Sequence, residues 1–585
     1  MLVASLILIY TFFILLLYGQ GFVSLLKREF SNQTQVSIPF QLITGLMIVT
    51  TLGSFASFFI RINWEFQAGL FFGMIILGAI GIVRNYQLPI HFFKNFSILQ
   101  IVGFVVFCAG AFVILYAATL PPSNPDTGIY HAQTIHWIET YPVVPGLVNL
   151  HQRLGYGSSW LLANAIFSFP FFNIQSFHLL TGALFLIMAC YFYQGIHELL
   201  EKKYFFNNFL KFGFFIGIFI FLLDQTSSPG TDAPATLLTW FIIAQTIQFF
   251  ETRQSRNDLE GHLLVLLIFF CVTIKISSVP LLILALGLII SLKYFKNFRK
   301  FGLIALFSVI ILLPFVVRNI IQTGYPIFPG FPVDLFNLDW TLPIEKVKEE
   351  VSVIHWFATL PHMPREEFYS LGRRAQTIQW FYNQLPRHKA ILLFIMATLL
   401  FNGMLCVFKD WRNFIKRNHH FFGVYLTAFA GCAFWFLFAP NFRFGYGFLL
   451  AAVCLLGVPI LVFLLERYSL QEFGKLEFLS PRKIFNWLIL IVCISAIGLS
   501  IKSNIQFNKI FDTMIMPADY PARSTEPCGF ANFQILCQSS YNSCSYSPFP
   551  CAISGNEYVE MRGEDYRDGF RYIPSVVSPN DIPNP

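Results

Sequence analysis

The sequence predicts an all-α polytopic membrane protein, and three observations predict it. Hydrophobic residues make up 56% of the chain and charged ones only 12%, where soluble proteins are nearer a quarter charged. Apolar runs long enough to cross a bilayer recur from end to end. Between them, Lys and Arg gather in short clusters on alternate connections, the pattern of loops kept on the cytoplasmic side. The formal charge of +8 is modest and divided among those clusters, so it marks orientation and no nucleic-acid face.

The first run, Leu2 to Tyr18, has no basic leading segment and no small-residue cleavage motif, and Lys27 and Arg28 follow it. It therefore reads as a retained span with its N-terminus outside. Further spans are expected at roughly 38–60, 67–83, 98–120, 176–198, 212–223, 234–250, 262–274, 279–292, 301–317, 389–408, 421–439, 446–465 and 484–501. That makes about fourteen, several of them shorter than the ~20 residues of an upright crossing. Short spans are tolerated where neighbours or a cavity cover their ends.

The cation clusters then set the sides. Lys27/Arg28, Arg84/Lys94, Lys202/Lys203/Lys211, Arg253/Arg256, Lys293/Lys296/Arg299/Lys300, Lys409/Arg412/Lys416/Arg417 and the run from Arg467 to Lys483 all fall on the cytoplasmic side. The outer side receives residues 121–175, the turns at 224–233 and 275–278, a long loop at 318–388, the 440–445 turn and the tail after Lys502.

In the long loop, surface helices are expected at 343–360 and 364–385. The second starts at Pro364 and carries Trp380 and Tyr382 opposite Arg373 and Arg374, as a helix lying on a membrane would. Seven of the eleven cysteines fall in apolar runs and read as small core residues. Cys528, Cys537, Cys544 and Cys551 cluster in the polar tail instead. In an oxidising compartment they suggest two disulfides, with three pairings open. The short SYSPFP stretch favours Cys544 with Cys551, leaving Cys528 for Cys537. No C-x-x-C spacing supports zinc.

Charges on the cation-depleted side need a reason. Lys275 lies in TIKISSVP, Arg318 in PFVVRNIIQTGYPIFP and Arg443 in APNFRFGYG. One such cation at a helix end can simply snorkel to lipid phosphate. Three facing the same compartment as Asp126 and Asp232 form the kind of ring that a phosphate-bearing lipid requires. Asp126, in PPSNPDTGIYHAQTIHW, occupies an N-cap position before a helix, and Asp232, in SPGTDAPAT, another. Capping explains both. A carboxylate near cations also stays ionised and can take a proton from an incoming hydroxyl. His131 and His136 are five apart, on different helix faces, which argues against a shared metal ion.

The order of these segments resembles the GT-C superfamily of integral-membrane glycosyltransferases, which use polyprenyl-phosphate sugars. More narrowly, DTGIYHAQTIHWIETYPVVPGLVNLHQRLGYGSSW, together with CSYSPFPC and MRGEDYRDGFRY in the tail, is similar to a family of bacterial multi-pass membrane proteins within that group. The resemblance runs from about residue 98 to the end. It implies three additional N-terminal spans over 1–97, a GT-C-like core over 98–501 and an extracytoplasmic Cys-rich tail over 502–585.

The resemblance further implies Asp126 as general base, with Lys275, Arg318 and Arg443 on the lipid phosphate. Tyr130, His131, His151, Arg153 and Asp232 are further substrate-binding candidates. That superfamily often has a second acidic residue directly after the first, where this chain has Thr127. No cofactor or bound metal is required if Lys and Arg supply the charge. The implied partners are a polyprenyl-phosphate sugar, membrane lipid and a glycan, lipid or protein acceptor, at a bacterial cytoplasmic membrane with the site facing outward. Two rivals remain: a lipid-linked polysaccharide polymerase, and a transporter or flippase of lipid-linked glycans. A transporter favours internal repeats and mid-membrane charges, whereas here the charges gather at one face.

Overall fold

In a hydrocarbon layer a backbone amide has no water to bond, so apolar runs of this length satisfy themselves as helices. The computed structural model describes residues 1–30, 36–79, 97–172, 175–251, 258–294, 297–330, 333–467, 481–504, 510–539 and 543–573. Among these, eleven helices are long and apolar enough to cross a membrane, and three shorter apolar helices accompany them. The chain is a multi-pass membrane protein with an all-α bundle.

Helix α1 (Leu2–Phe30) continues well past the expected end at residue 18, so Lys27 is still helical. Helices α2 (Ile38–Ala56) and α3 (Trp64–Ala79) follow, then α4 (Ile98–Ala118), which opens on a reciprocal cap between Ser97 and Gln100. The expected cations Arg84, Lys94, Arg253, Arg256 and Lys296, and the run from 468 to 480, lie outside the described residues. Two short helices, α5 (Ala132–Thr140) and α6 (Ser159–Ile166), precede the helices α7 (Leu180–Leu200), α8 (Phe206–Gly217), α9 (Asp232–Glu251), α10 (Asp258–Ile274), α11 (Leu282–Ser291) and α12 (Phe298–Thr323). Gly324, at φ +87°, ends α12 in a left-handed cap that favours glycine.

After it come α13 (Ile344–Thr359), α14 (Arg365–Ser370), α15 (Arg373–Asn383), α16 (Pro386–Leu405), α17 (Lys409–Arg417), α18 (Phe422–Phe438), α19 (Phe442–Arg467) and α20 (Pro481–Asn504). The surface helix expected at 364–385 is thus two helices. Trp380 does not lie on a membrane surface. It is buried against Trp435 at 5.8 Å and stacked on Phe442 at 6.0 Å, with Nε1 donating to the carbonyl of Pro440 at 2.8 Å. A buried indole N–H needs an acceptor, and the turn before α19 supplies one.

The N-terminal spans are packed into the bundle. Gly19 and Gly45 let α1 and α2 approach until a Cβ on either would overlap the other's backbone carbonyl. Phe40 of α2 meets Phe241 of α9 edge-on at 5.3 Å. Deeper in, fully buried Trp240 stacks on Phe214 at 5.0 Å and donates to the carbonyl of Gly447 at 3.1 Å, tying α9 to α8 and α19.

The bundle has two distinct ends. At one, Arg299 pairs with Glu29, Arg417 with Glu466 and Arg467 with Asp410, joining segments that the cation clusters assigned to one side. The tail covers the other end. Strand β1 (Thr525–Gly529) pairs antiparallel with β2 (Gln534–Gln538), and β3 (Cys551–Ala552) lies parallel to β2. Strands β4 (Val559–Met561) and β5 (Phe570–Tyr572) form a second antiparallel pair. The disulfides are Cys528–Cys537 and Cys544–Cys551.

This tail shares one apolar core with the segment after α4. Trp137, Val144, Leu147 and Leu150 pack with Phe530, Ile535, Val559 and Phe570. Asn149 locks three segments together, its Nδ2 donating to the carbonyls of Trp340 at 3.0 Å and Phe570 at 2.9 Å.

Candidate active site

The site starts where α4 ends. Pro121, Pro122 and Pro125 stop the helix and set the chain for a new start. The residue that caps this start is Asn124, whose Oδ1 accepts the N–H of Asp126 at 3.0 Å. Asp126 is already helical and its side chain makes no capping bond. The expected capping role therefore passes to Asn124, two residues earlier, and the Asp126 carboxylate is left for other work. Asp232 is likewise the first residue of α9, with its carboxylate turned to cations.

Residues Thr127–His131 form a π-helical turn, closed by the N–H of Ala132 on the carbonyl of Thr127. One extra residue in a turn re-aims what it carries, and such turns recur at functional sites. This one sends Tyr130 and His131 into the same cavity as Asp126.

Six side chains alternate in sign along one line. Lys275 bonds Asp232. Arg443 reaches Asp232 through Nε at 2.7 Å and Asp126 through Nη2 at 2.5 Å. Arg153 stands 3.6 Å from Asp126 and 3.8 Å from Glu350. Tyr156 donates its hydroxyl to Glu350, and Asn124 receives Arg443 Nη1 at 3.2 Å. Lys275 also lies over the Phe444 ring, 4.1 Å from its centroid. Buried charges are tolerated when paired and hydrogen-bonded, and here every charge has a partner of opposite sign.

All of these charges but Glu350 line a cavity of about 300 Å³. Much of the rest is apolar, from Phe328, Phe357, Phe434, Phe438, Phe444 and Phe448. Phe438 belongs to α18 and is 62% exposed, so the aromatic wall reaches the bundle's surface.

Burial dominates the protonation states. It pushes the Tyr130 hydroxyl well above its ordinary range, with Asp126 and Asp232 adding to the shift. It lowers His131 to about 4, so the ring is neutral near pH 7. Tyr156 is raised by burial and by Glu350, and keeps its proton for the bond it donates.

Of the expected residues, the cavity gathers Asp126, Tyr130, His131, Arg153, Asp232, Lys275 and Arg443. It leaves out Arg318, which is buried in α12 and donates to Ser57 Oγ at 2.5 Å at the end of α2. One guanidinium nitrogen is engaged by that neighbouring helix, and the cavity lining gives the expected phosphate role of Arg318 no support. His151 also stands outside the lining. Burial holds it neutral, its pKa lowered to about 3.

Three participants escape sequence reasoning: Asn124, Tyr156 and Glu350. Glu350 sits in IEKVKEEV, where charges every few residues read as a solvated helix face. Thr127, where a second acidic residue was the implied pattern, shares a hydrogen bond with Ser228 at 2.8 Å. The second carboxylate comes from α9 instead. Among the described residues, no three His, Cys, Asp or Glu side chains group as metal ligands would.

The family described as "Domain of unknown function (DUF8201)" matches residues 1–450. No curated protein matches the chain, and no solved structure does.

Proposed function

We propose that this chain, which belongs to the DUF8201 family, is an integral-membrane glycosyltransferase. It transfers a sugar from a polyprenyl-phosphate donor to an acceptor hydroxyl at the extracytoplasmic face of a bacterial cytoplasmic membrane. The observation that carries this reading is the alternating line of charge set against an aromatic wall that reaches the bundle surface. A polyprenyl-phosphate sugar has the two matching halves, an anionic head and an apolar chain. The order of motifs shared with GT-C enzymes supports the same reading, and the alternation of cation clusters supports the side.

In the reaction, the acceptor oxygen bonds to the anomeric carbon as that carbon's bond to the phosphate oxygen breaks. The bonding pair leaves on the phosphate, and the acceptor's proton goes to Asp126. Lys275, Arg443 and Arg153 meet the charge that develops on the phosphate. In the resting network these cations are already neutralised by Asp126, Asp232 and Glu350. An arriving phosphate therefore competes with Asp126 for the same guanidinium groups. Loosening those pairs frees the Asp126 carboxylate oxygens to accept a hydrogen bond from the acceptor hydroxyl.

Purified Asp126→Asn protein, given a polyprenyl-phosphate sugar and acceptor, should lose about 10² to 10⁴ in transfer rate while remaining folded. Because Asn124 holds the cap, the loss would not reflect an unwound helix. Transfer near the wild-type rate would remove Asp126 from the mechanism.

A further inference from the structure

Helix α5 follows the π-helical turn directly, and one face of it is gripped by the loop between Cys544 and Cys551. Gln133, which is 1% exposed, uses its whole amide there. Its Nε2 donates to the carbonyls of Ser545 at 3.0 Å, Tyr546 at 3.2 Å and Pro548 at 2.9 Å. Its Oε1 accepts the N–H of Cys551 at 3.1 Å. Three residues on, His136 lies between the rings of Tyr546 at 4.2 Å and Phe549 at 4.0 Å. Another three on, Glu139 accepts the Tyr546 hydroxyl at 2.8 Å. Spacings of three keep all three residues on one helix face. The disulfide Cys544–Cys551 closes the loop that meets them. From the same loop, the N–H of Ser545 donates to the carbonyl of Gly128 at 2.8 Å, inside the π-helical turn itself.

We propose that Gln133 is a positioning residue of the charged site, acting through the Cys544–Cys551 loop to hold the π-helical turn in register. A π-helical turn is rare and persists where its surroundings over-determine it. Returning residues 127–131 to α-helical register would remove one residue from the turn. With 3.6 residues per turn, that rotates everything before it by about 100° relative to α5. Asp126, on the far side of the turn from Gln133, would swing away from Arg443. Lys275, Asp232 and Arg443 stand on other elements and would stay in place. The role in catalysis rests on the glycosyltransferase reading; the clamp itself does not.

The test uses full-length protein in detergent micelles carrying Gln133→Met, which keeps the side chain's bulk and removes its hydrogen bonds. Amide hydrogen exchange over residues 126–137 should rise at least about tenfold, with exchange in α9 and α19 unchanged. In the transfer assay kcat should fall by about 10- to 100-fold, with donor KM shifted less than about threefold.

If Gln133→Met does not accumulate, the paired Cys544→Ser and Cys551→Ser variant carries the same measurements. Wild-type exchange over 126–137 in whichever variant is measured overturns the proposal. So does a loss spread equally through donor KM and kcat. Raised exchange in a protein whose wild type transfers no sugar keeps the clamp and discards the glycosyltransferase reading.

Discussion

Removing Arg443 tests the charged line at its centre. Its side chain is 23% exposed, and its two partners, Asp126 and Asp232, are 15% and 10% exposed, so solvent screens these pairs little. Stripping one partner from a buried ion pair typically costs about 3–5 kcal/mol, because the other charge stays behind unpaired. Here each carboxylate keeps a second cation, Arg153 for Asp126 and Lys275 for Asp232. Arg443→Ala should therefore fall at the low end, about 3 kcal/mol. Arg443→Lys keeps the charge but not the planar fork that reaches both carboxylates, and should cost about 2 kcal/mol. Adding Asp126→Asn to Arg443→Ala should recover part of the loss, a coupling of about 1–2 kcal/mol. Equilibrium unfolding in mixed micelles, run as a double-mutant cycle, measures all of these. A cost below about 0.5 kcal/mol for Arg443→Ala, or additivity within about 0.3 kcal/mol, would refute a guanidinium bridging the two acids.

Two further outcomes follow from groups outside the cavity. Burial raises Glu139 to about 7 from 4.5, against hydroxyl bonds from Ser168, Ser176 and Tyr546 that lower it. The folded protein thus binds more protons at this group between those values. Its contribution, of order 3 kcal/mol, is full below pH 4.5 and is lost as pH rises through about 7. Glu139→Gln should flatten that fall in unfolding experiments across pH 5–8. Burial lowers His136 to about 4 from 6.5, so its contribution is lost instead as pH falls through that window, and it should remain in the variant. Arg318→Met should leave donor KM and kcat unchanged while altering stability, as measured by transfer kinetics beside unfolding. A raised donor KM would return Arg318 to the ligand.

The spans were legible because a long apolar window is a one-dimensional signal that needs no tertiary knowledge. Lys275 and Arg443 were legible for a related reason, as cations on the side the topology rule leaves poor in them, and Asp126 and Asp232 as helix-start carboxylates facing the same side. Arg318 met the same criterion and goes elsewhere. A cation at a helix end can face a ligand, lipid or a neighbouring helix, and Ser57, which decides, is 261 residues away. Glu350 was hidden by its neighbours, since a charge-rich helix conceals the one face turned inward. Trp380 was misread because amphipathic spacing marks an apolar face without naming what covers it. The cap position of Asp126 was off by two residues, within the usual uncertainty of helix boundaries. That small shift decides whether its carboxylate serves the backbone or the cavity.

The bonds from Gln133 to the tail loop also fix a schedule for biosynthesis. Gln133 and Pro548 are 415 residues apart in the chain, and a ribosome adding about 5–20 residues per second takes on the order of 20–80 s to cover that distance. Throughout that interval α5 has been made, but the carbonyls that satisfy its glutamine have not. The six charges can converge earlier only on a helix still free to turn. The site is thus completed late, after nearly all of the bundle has been synthesised and once Cys551 can close its loop.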